Sequence, residues 1–380
     1  MTGPQSTALP AVAPKSKRPI PTLGVEEEYL FVDPVSRAAV PGAKTVLRRM
    51  GDRFGNLVVP EFTQFQIEAR TNPCVDVREL DAQLRELRSA VAESARDEGL
   101  RLVAVGSPII GDVVPPPITE GERYRDSDRF YRSLNDEQSV CACHVHVHLP
   151  EKERALWVSN HLRPWLPALI AMTANSPYWA GRDTGYASWR VLSRNRWPVA
   201  GPPPYFESLD HFEDLIGTLL TSGVMMDRGM IYWDVRPSAH VPTLEVRIAD
   251  MPTTVWETVL LATVTRALIM VSIEAVERGE RGPRISTELL RAACWRSARD
   301  GLAGEGIDVR TGRLQPATAL LESLFAHVRP ALEDCGELHL VSTGYKQLLA
   351  EGCGATRQQA IHAREGELTS VVDSLIESTA

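Results

Sequence analysis

The sequence predicts an α+β fold, with one antiparallel sheet, helices on one side of it and a helical C-terminal part. Three observations carry this expectation. Five segments between Gly24 and Ile248 alternate apolar and polar residues with the two-residue period of strands. These segments precede the main helical region instead of alternating with it. Everything beyond about Thr254 reads as helix, and no internal repeat breaks the order.

In chain order, the first twenty residues are rich in Pro, Ala, Ser and Thr and lack an apolar core, so they read as a disordered tail. One domain is expected over residues 21–375. Gly24–Val32 is a strand closed by the Asp33-Pro34 turn signal. A second strand runs from Phe62 to Thr71 and stops at Asn72-Pro73. Asp76 and Glu79 form a capping box for a helix reaching about Asp97, with Leu80, Leu84, Leu87 and Val91 on its buried face. Arg101–Val105 is a short strand. Residues 111–140 are polar and proline-bearing, a long loop and candidate lid. The strand Cys141–His148 leads to a helix from about Glu153 to Thr173. A Gly/Pro-rich stretch from Asn175 to Pro204, full of Trp, Tyr and Arg, precedes the strand pair Met230–Arg236 and Thr243–Ile248. The final helices break at Gly282-Pro283, Gly301–Gly312 and Gly352–Gly354.

Composition excludes several classes. An apolar fraction of 43% and a charged fraction of 24% fit a soluble globular protein. The net charge of −8 gives no general attraction for nucleic acid. The longest apolar run, Val259–Val276, is interrupted by Thr263, Thr265, Arg266, Ser272 and Glu274, so it reads as a buried helix and not a membrane span. Lysine occurs only at positions 15, 17, 44, 152 and 346, a bias that genome base composition explains most simply. Six scattered cysteines point to reduced thiols in a cytoplasmic protein.

The chemistry lies on one face of the strands. It collects Glu26 and Glu28; Gln64, Gln66, Glu68 and Arg70; His144, His146 and His148; Tyr232, Asp234 and Arg236; and Thr243, Glu245 and Arg247. A wet sheet face explains any one strand alone. The set is harder to explain that way, because a wet face mixes in Lys, Ser and Thr. Carboxylates two residues apart on one face repel, and a divalent cation offsets the cost. Carboxylate oxygens with an imidazole suit Mg²⁺ or Mn²⁺ better than zinc. Cys141 and Cys143 face away from His144 and His146, so a shared zinc ion fails on geometry. A cupin-type metal site is a weaker competitor, since Leu149-Pro150 interrupts where a carboxylate should follow.

The motifs Gly24-Val25-Glu26-Glu27-Glu28, Gln66-Ile67-Glu68, His144-Val145-His146-Val147, Arg182 to Arg190, Trp233-Asp234-Val235-Arg236-Pro237 and Thr243-Leu244-Glu245-Val246-Arg247 together resemble the type 2 glutamate–cysteine ligases, also called carboxylate–amine ligases. The resemblance covers roughly residues 20–375. It implies a glutamine-synthetase-like domain, whose curved antiparallel sheet holds ATP and Mg²⁺, and a homodimer or larger homo-oligomer. The implied metal ligands are Glu26, Glu28, Glu68, His144 and Glu245. Glu61 ranks lower, because in an unbroken strand it faces the other way and needs a bulge or loop. His146 is implied beside the phosphates, Arg236 and Arg247 on phosphate or substrate carboxylate, and Arg190 and Arg194 closing over the substrate. The implied reaction activates a carboxylate, that of glutamate first, as an acyl phosphate that an amine then attacks. Cysteine, another amino acid or a specialised amine would be the acceptor. A non-catalytic nucleotide- or amino-acid-binding relative is the remaining alternative.

Overall fold

The computed structural model describes residues 19–379, so the expected disordered tail at 1–20 lies outside the described residues but for its end. Seven strands form one open sheet: β1 (Leu23–Val32), β2 (Val58–Pro60), β3 (Gln66–Arg70), β4 (Arg101–Val103), β5 (Ala142–His148), β6 (Val235–Pro237) and β7 (Thr243–Asp250). Their order is β6-β7-β5-β1-β3-β2, all neighbours antiparallel, with β4 pairing the end of β1. The sheet does not close into a barrel, so the cupin alternative falls on architecture.

Alternation sorts the two faces. Val25, Tyr29, Phe31, Ile67, Ala69, Cys143, Val145, Val147, Leu244 and Val246 are all buried on the core side. The helices α1 (Val77–Asp97) and α3 (Val255–Glu277) lie in this core, and α3 packs against α1, β1 and β5. Among the described residues α3 is the one helix long and apolar enough to cross a membrane. Yet 78% of its most apolar window is buried inside the protein, in keeping with the core helix read from the sequence.

The helix ends differ from expectation. Asp76 caps α1 through the Arg78 N–H, not through the reciprocal Glu79 box. The capping box belongs instead to α3, where Thr254 and Glu257 bond each other's backbone. Other boundaries also move. The strand expected from Phe62 starts only at Gln66, because residues 61–65 bend away to pair with the segment around Ile118. Gln64 accordingly leaves the loaded face and donates to the Ile118 carbonyl. The expected loop at 111–140 contains the helix α2 (Glu122–Tyr131). Pro164 and Pro167 divide the helix expected at 153–173 with a 3-10 turn, since proline cannot donate to the helical ladder. The helix Leu209–Thr221 and the hairpin Glu305–Asp308 with Arg313–Pro316 were not anticipated.

The centre of α3 makes this packing testable. Leu268 has no solvent exposure. Leu268→Ala should lower stability by about 2–5 kcal/mol, the range for a buried leucine whose cavity does not fully collapse. Urea denaturation measures it, and a loss below half that lower bound would show that this helix packs loosely.

Candidate active site

Register brings the loaded residues together. Glu26 pairs with His144 across one edge of β1 and with Arg70 across the other. Glu28 stands opposite Glu68. Glu245 stands between His146 on β5 and Arg236 on β6. Three groups follow in which each residue offers a ligand atom within 4.8 Å of the others: Glu26, Glu68 and His144; Glu26, His146 and Glu245; and Glu28, Glu61 and Glu68. Glu26 links the first two groups, and Glu68 links the first to the third.

Glu61, ranked lower from the sequence, thus stands with Glu28 and Glu68 in the third group. It sits in the bend between β2 and β3, the loop position that the strand argument required, and its carboxylate accepts from the Phe62 N–H at 2.6 Å. His148 ends the strand exposed and takes no part in the three groups.

His144 Nδ1 lies 3.0 Å from Glu26 Oε2, while its buried Nε2 has no hydrogen-bond partner. His146 repeats the pattern, with Nδ1 2.9 Å from Thr243 Oγ1 and Nε2 unpartnered. A histidine fixed through one nitrogen and bare at the other is arranged as a metal ligand. Burial, then the charge of Glu68, pushes the Glu28 carboxyl up to about 7. Burial and Glu28 push Glu61 up to about 7, and burial with the charges of Glu26 and Glu61 raises Glu68. Such crowding is what a bound cation relieves, so the donor set fits hard divalent ions.

The opposite end is compensated by protein charges. Burial alone would raise Glu245, but Arg247 and Arg236 hold it well below the ordinary carboxylate range. Arg236 Nε donates to Glu245 Oε2 at 2.7 Å, and Arg247 grips the other oxygen. Burial would raise Glu26 as well, but the hydrogen bond with His144 and the nearness of His146, 3.5 Å away, hold it low. His144 is pushed down to about 3 by burial and the Arg247 charge, so it stays neutral.

A cavity of about 220 Å³ opens beside Glu28 and Glu61. Arg190, Arg194 and Arg247 line it together with Phe62, Tyr124, Trp197 and Tyr232. Arg190 and Arg194 are fixed by backbone: Arg190 donates to the carbonyls of Ile248 and Arg247, and Arg194 to those of Arg247 and Tyr232. Asp250 anchors this corner, accepting from Asn175 N at 2.8 Å, Ser176 Oγ at 2.7 Å and Ser188 Oγ at 2.8 Å.

A bulge explains how Asp250 gets there. Between the pairs Val246–Val145 and Ala249–Cys143, β7 takes three steps against two along β5. Beyond it Asp250 pairs with Ala142 and shares its face, whereas unbroken alternation sets it with Leu244 and Val246. Sequence reasoning missed Asp250 for this reason. It also missed α2, which brings Arg123, Tyr124 and Ser127 to the cavity from the supposed loop. All six cysteines are free and buried, Cys141 and Cys143 with thiols raised by burial.

This arrangement, a sheet face of carboxylates and histidines beside an arginine-lined cavity, is the candidate active site. The profile of glutamate–cysteine ligase family 2 (GCS2) matches residues 22–374, and the chain belongs to that family. A protein of Mycobacterium sp. (strain KMS) named "Putative glutamate--cysteine ligase 2-2" is 46% identical over 362 residues, 94% of this chain and 98% of that one. A Saccharopolyspora erythraea protein named "Putative glutamate--cysteine ligase 2-1" is 45% identical over 358 residues, 94% of each chain. The fold is shared with the glutamate–cysteine ligase of Francisella tularensis solved in complex with AMP. There the TM-score is 0.71 at 11% identity, covering 95% of this chain and 89% of that one. The bifunctional glutathione synthetase of Pasteurella multocida gives 0.68 at 13% identity, over 94% of this chain and 52% of that one. The glutamine-synthetase-like α+β class expected from the motifs is thus established.

The raised carboxyls give a pH signature. With folded values near 7 for Glu28 and Glu61 against an ordinary 4.5, the folded protein holds protons that the unfolded chain has lost. Without divalent cations, their contribution to stability must fall as pH rises from about 4.5 to 7 and stay flat above. Mg²⁺ needs the ionised forms, so it should raise Tm more at pH 8 than at pH 6. Thermal melts with EDTA or MgCl₂ at both pH values test this, and a larger gain at pH 6 would contradict it.

Proposed function

We propose that this ATP-dependent carboxylate–amine ligase joins the γ-carboxylate of glutamate to the amino group of an amino acid, with cysteine the first candidate. The carboxylate would attack the γ-phosphorus of ATP, giving γ-glutamyl phosphate and ADP. The amine would then displace phosphate and leave an amide. The observation that carries this reading is the run of three carboxylate groups ending at an arginine-lined cavity. The names of the relatives and the AMP complex of a protein with this fold support it.

Glu26, Glu28, Glu61, Glu68, His144 and Glu245 would hold Mg²⁺, or Mn²⁺ in its place. Bound there, the ion would neutralise phosphate charge as a Lewis acid, help worth several kcal/mol in such reactions. The chain's own groups supply the rest. Arg236 and Arg247, fixed by Glu245, would face phosphate or substrate carboxylate with little reorganisation. His146 stands beside them through Glu245. Arg194 lines the cavity with no acid in ion-pair contact among the described residues, so its charge is open to a substrate carboxylate. Arg190, backed by Asp250 at 3.6 Å, shapes the same wall. An acyl phosphate must be kept from water. The helix α2 contributes to that cover, with Arg123 tied to Asp227 across from it.

Incubation with ATP, Mg²⁺, glutamate and a panel of amino acids, read by mass spectrometry, should yield a γ-glutamyl amide and ADP. No amide and no ADP across the panel would overturn the reading. Glu28→Gln and Glu245→Gln should each lower kcat at least 100-fold, by loss of electrostatic support of the size seen for single groups of this kind, with circular dichroism unchanged. Full activity in both variants would remove them from the site.

A further inference from the structure

The middle glutamate of the Glu26-Glu27-Glu28 run has no part in the site. Glu27 points into the core at 1% exposure, where Arg88 of α1, also 1% exposed, meets it. Arg88 Nε donates to Glu27 Oε2 at 3.0 Å, and its Nη2 donates to Oε1. Tyr29 Oη and Thr258 Oγ1 donate to the same carboxylate, the threonine at 2.6 Å. Four donors fill the acceptor capacity of a carboxylate. The guanidinium is tied further, to the Thr253 carbonyl at 2.7 Å and to Thr258 Oγ1 at 3.2 Å. Thr253 lies just beyond β7, and Thr258 is in the first turns of α3. One side chain thus joins β1, the segment leaving β7 and α3, on the side of the sheet opposite the carboxylate groups.

A buried ion pair contributes little net stability compared with well-packed apolar residues, so stability alone does not account for it. Register does. A slip of β1 by one residue would still show one glutamate to the site, but would drop Glu26 and Glu28 into the core. A guanidinium fixed on the core side accepts one glutamate inward and leaves two outward.

We propose that the Glu27–Arg88 pair is a positioning device for the cation site, holding Glu26 and Glu28 from behind and tying their strand to the one bearing Glu245. The inference rests on reading those carboxylates as cation ligands. The test is Mn²⁺ binding to the full chain, followed by electron paramagnetic resonance, with thermal melts alongside. Arg88→Lys keeps a buried cation but loses the fork, and should weaken Mn²⁺ binding roughly 10–100-fold, as for groups that orient metal ligands. Arg266→Lys is the control: Arg266, elsewhere on α3, makes a buried pair with Glu337 before the helix Leu338–Glu351, and its loss should lower Tm while leaving Mn²⁺ affinity unchanged. If Arg88→Lys does not fold, the double variant Arg88→Met with Glu27→Gln removes both charges and decides the matter. A folded variant of either kind with wild-type Mn²⁺ affinity overturns the proposal. Wild-type protein that binds no Mn²⁺ overturns the cation reading itself, and this inference with it.

Discussion

Glu28 stands directly across from Glu68 on neighbouring strands, and the rest of the site is organised around that repulsion. Placed opposite each other, two like charges destabilise a sheet. The protein meets the problem differently at the two ends of the row. Near Glu245 it supplies arginines, so the carboxylate stays charged and anchored. Around Glu28, Glu61 and Glu68 it supplies few positive partners, and burial drives the carboxyls towards the neutral form. One end of the site is thus built from internal compensation, and the other is left for something to be bound.

The scaffold behind this face shares a single logic. Core-side residues of β1 and β5 pack on α3, and β7 packs on the helix Leu166–Thr173, while polar anchors hold the strands where packing alone would allow sliding. Asp250 does so at the edge of the arginine wall, gathering two serines, a backbone N–H and Arg190. Close packing enforces it: a Cβ on Gly106 would lie 2.9 Å from the Asp250 carboxyl carbon. The arginines lining the cavity are consequently held by structure and not by chance rotamers.

Much of this was legible in the sequence, for a physical reason. Strand alternation has a fixed period, so Glu26, Glu28, Glu68, His144, His146 and Glu245 could be assigned to one face without knowing which strands were neighbours. What escaped was where the period breaks. The late start of β3 at Gln66 left Glu61 in a bend beside the site, and the bulge in β7 moved Asp250 to the other face of the sheet. Nor could periodicity show that residues 122–131 would form a helix over the cavity. That helix is strongly polar, and it docks through Arg123 on Asp227 and Tyr131 on Trp197.

The buried cysteines have a consequence for how such a protein meets its surroundings. A thiol exchanges with disulfides only as an accessible thiolate. None of the six is exposed, and for Cys141, Cys143 and Cys294 ionisation is further disfavoured by the apolar surroundings. The folded chain thereby offers small thiols no accessible thiolate with which to form a mixed disulfide.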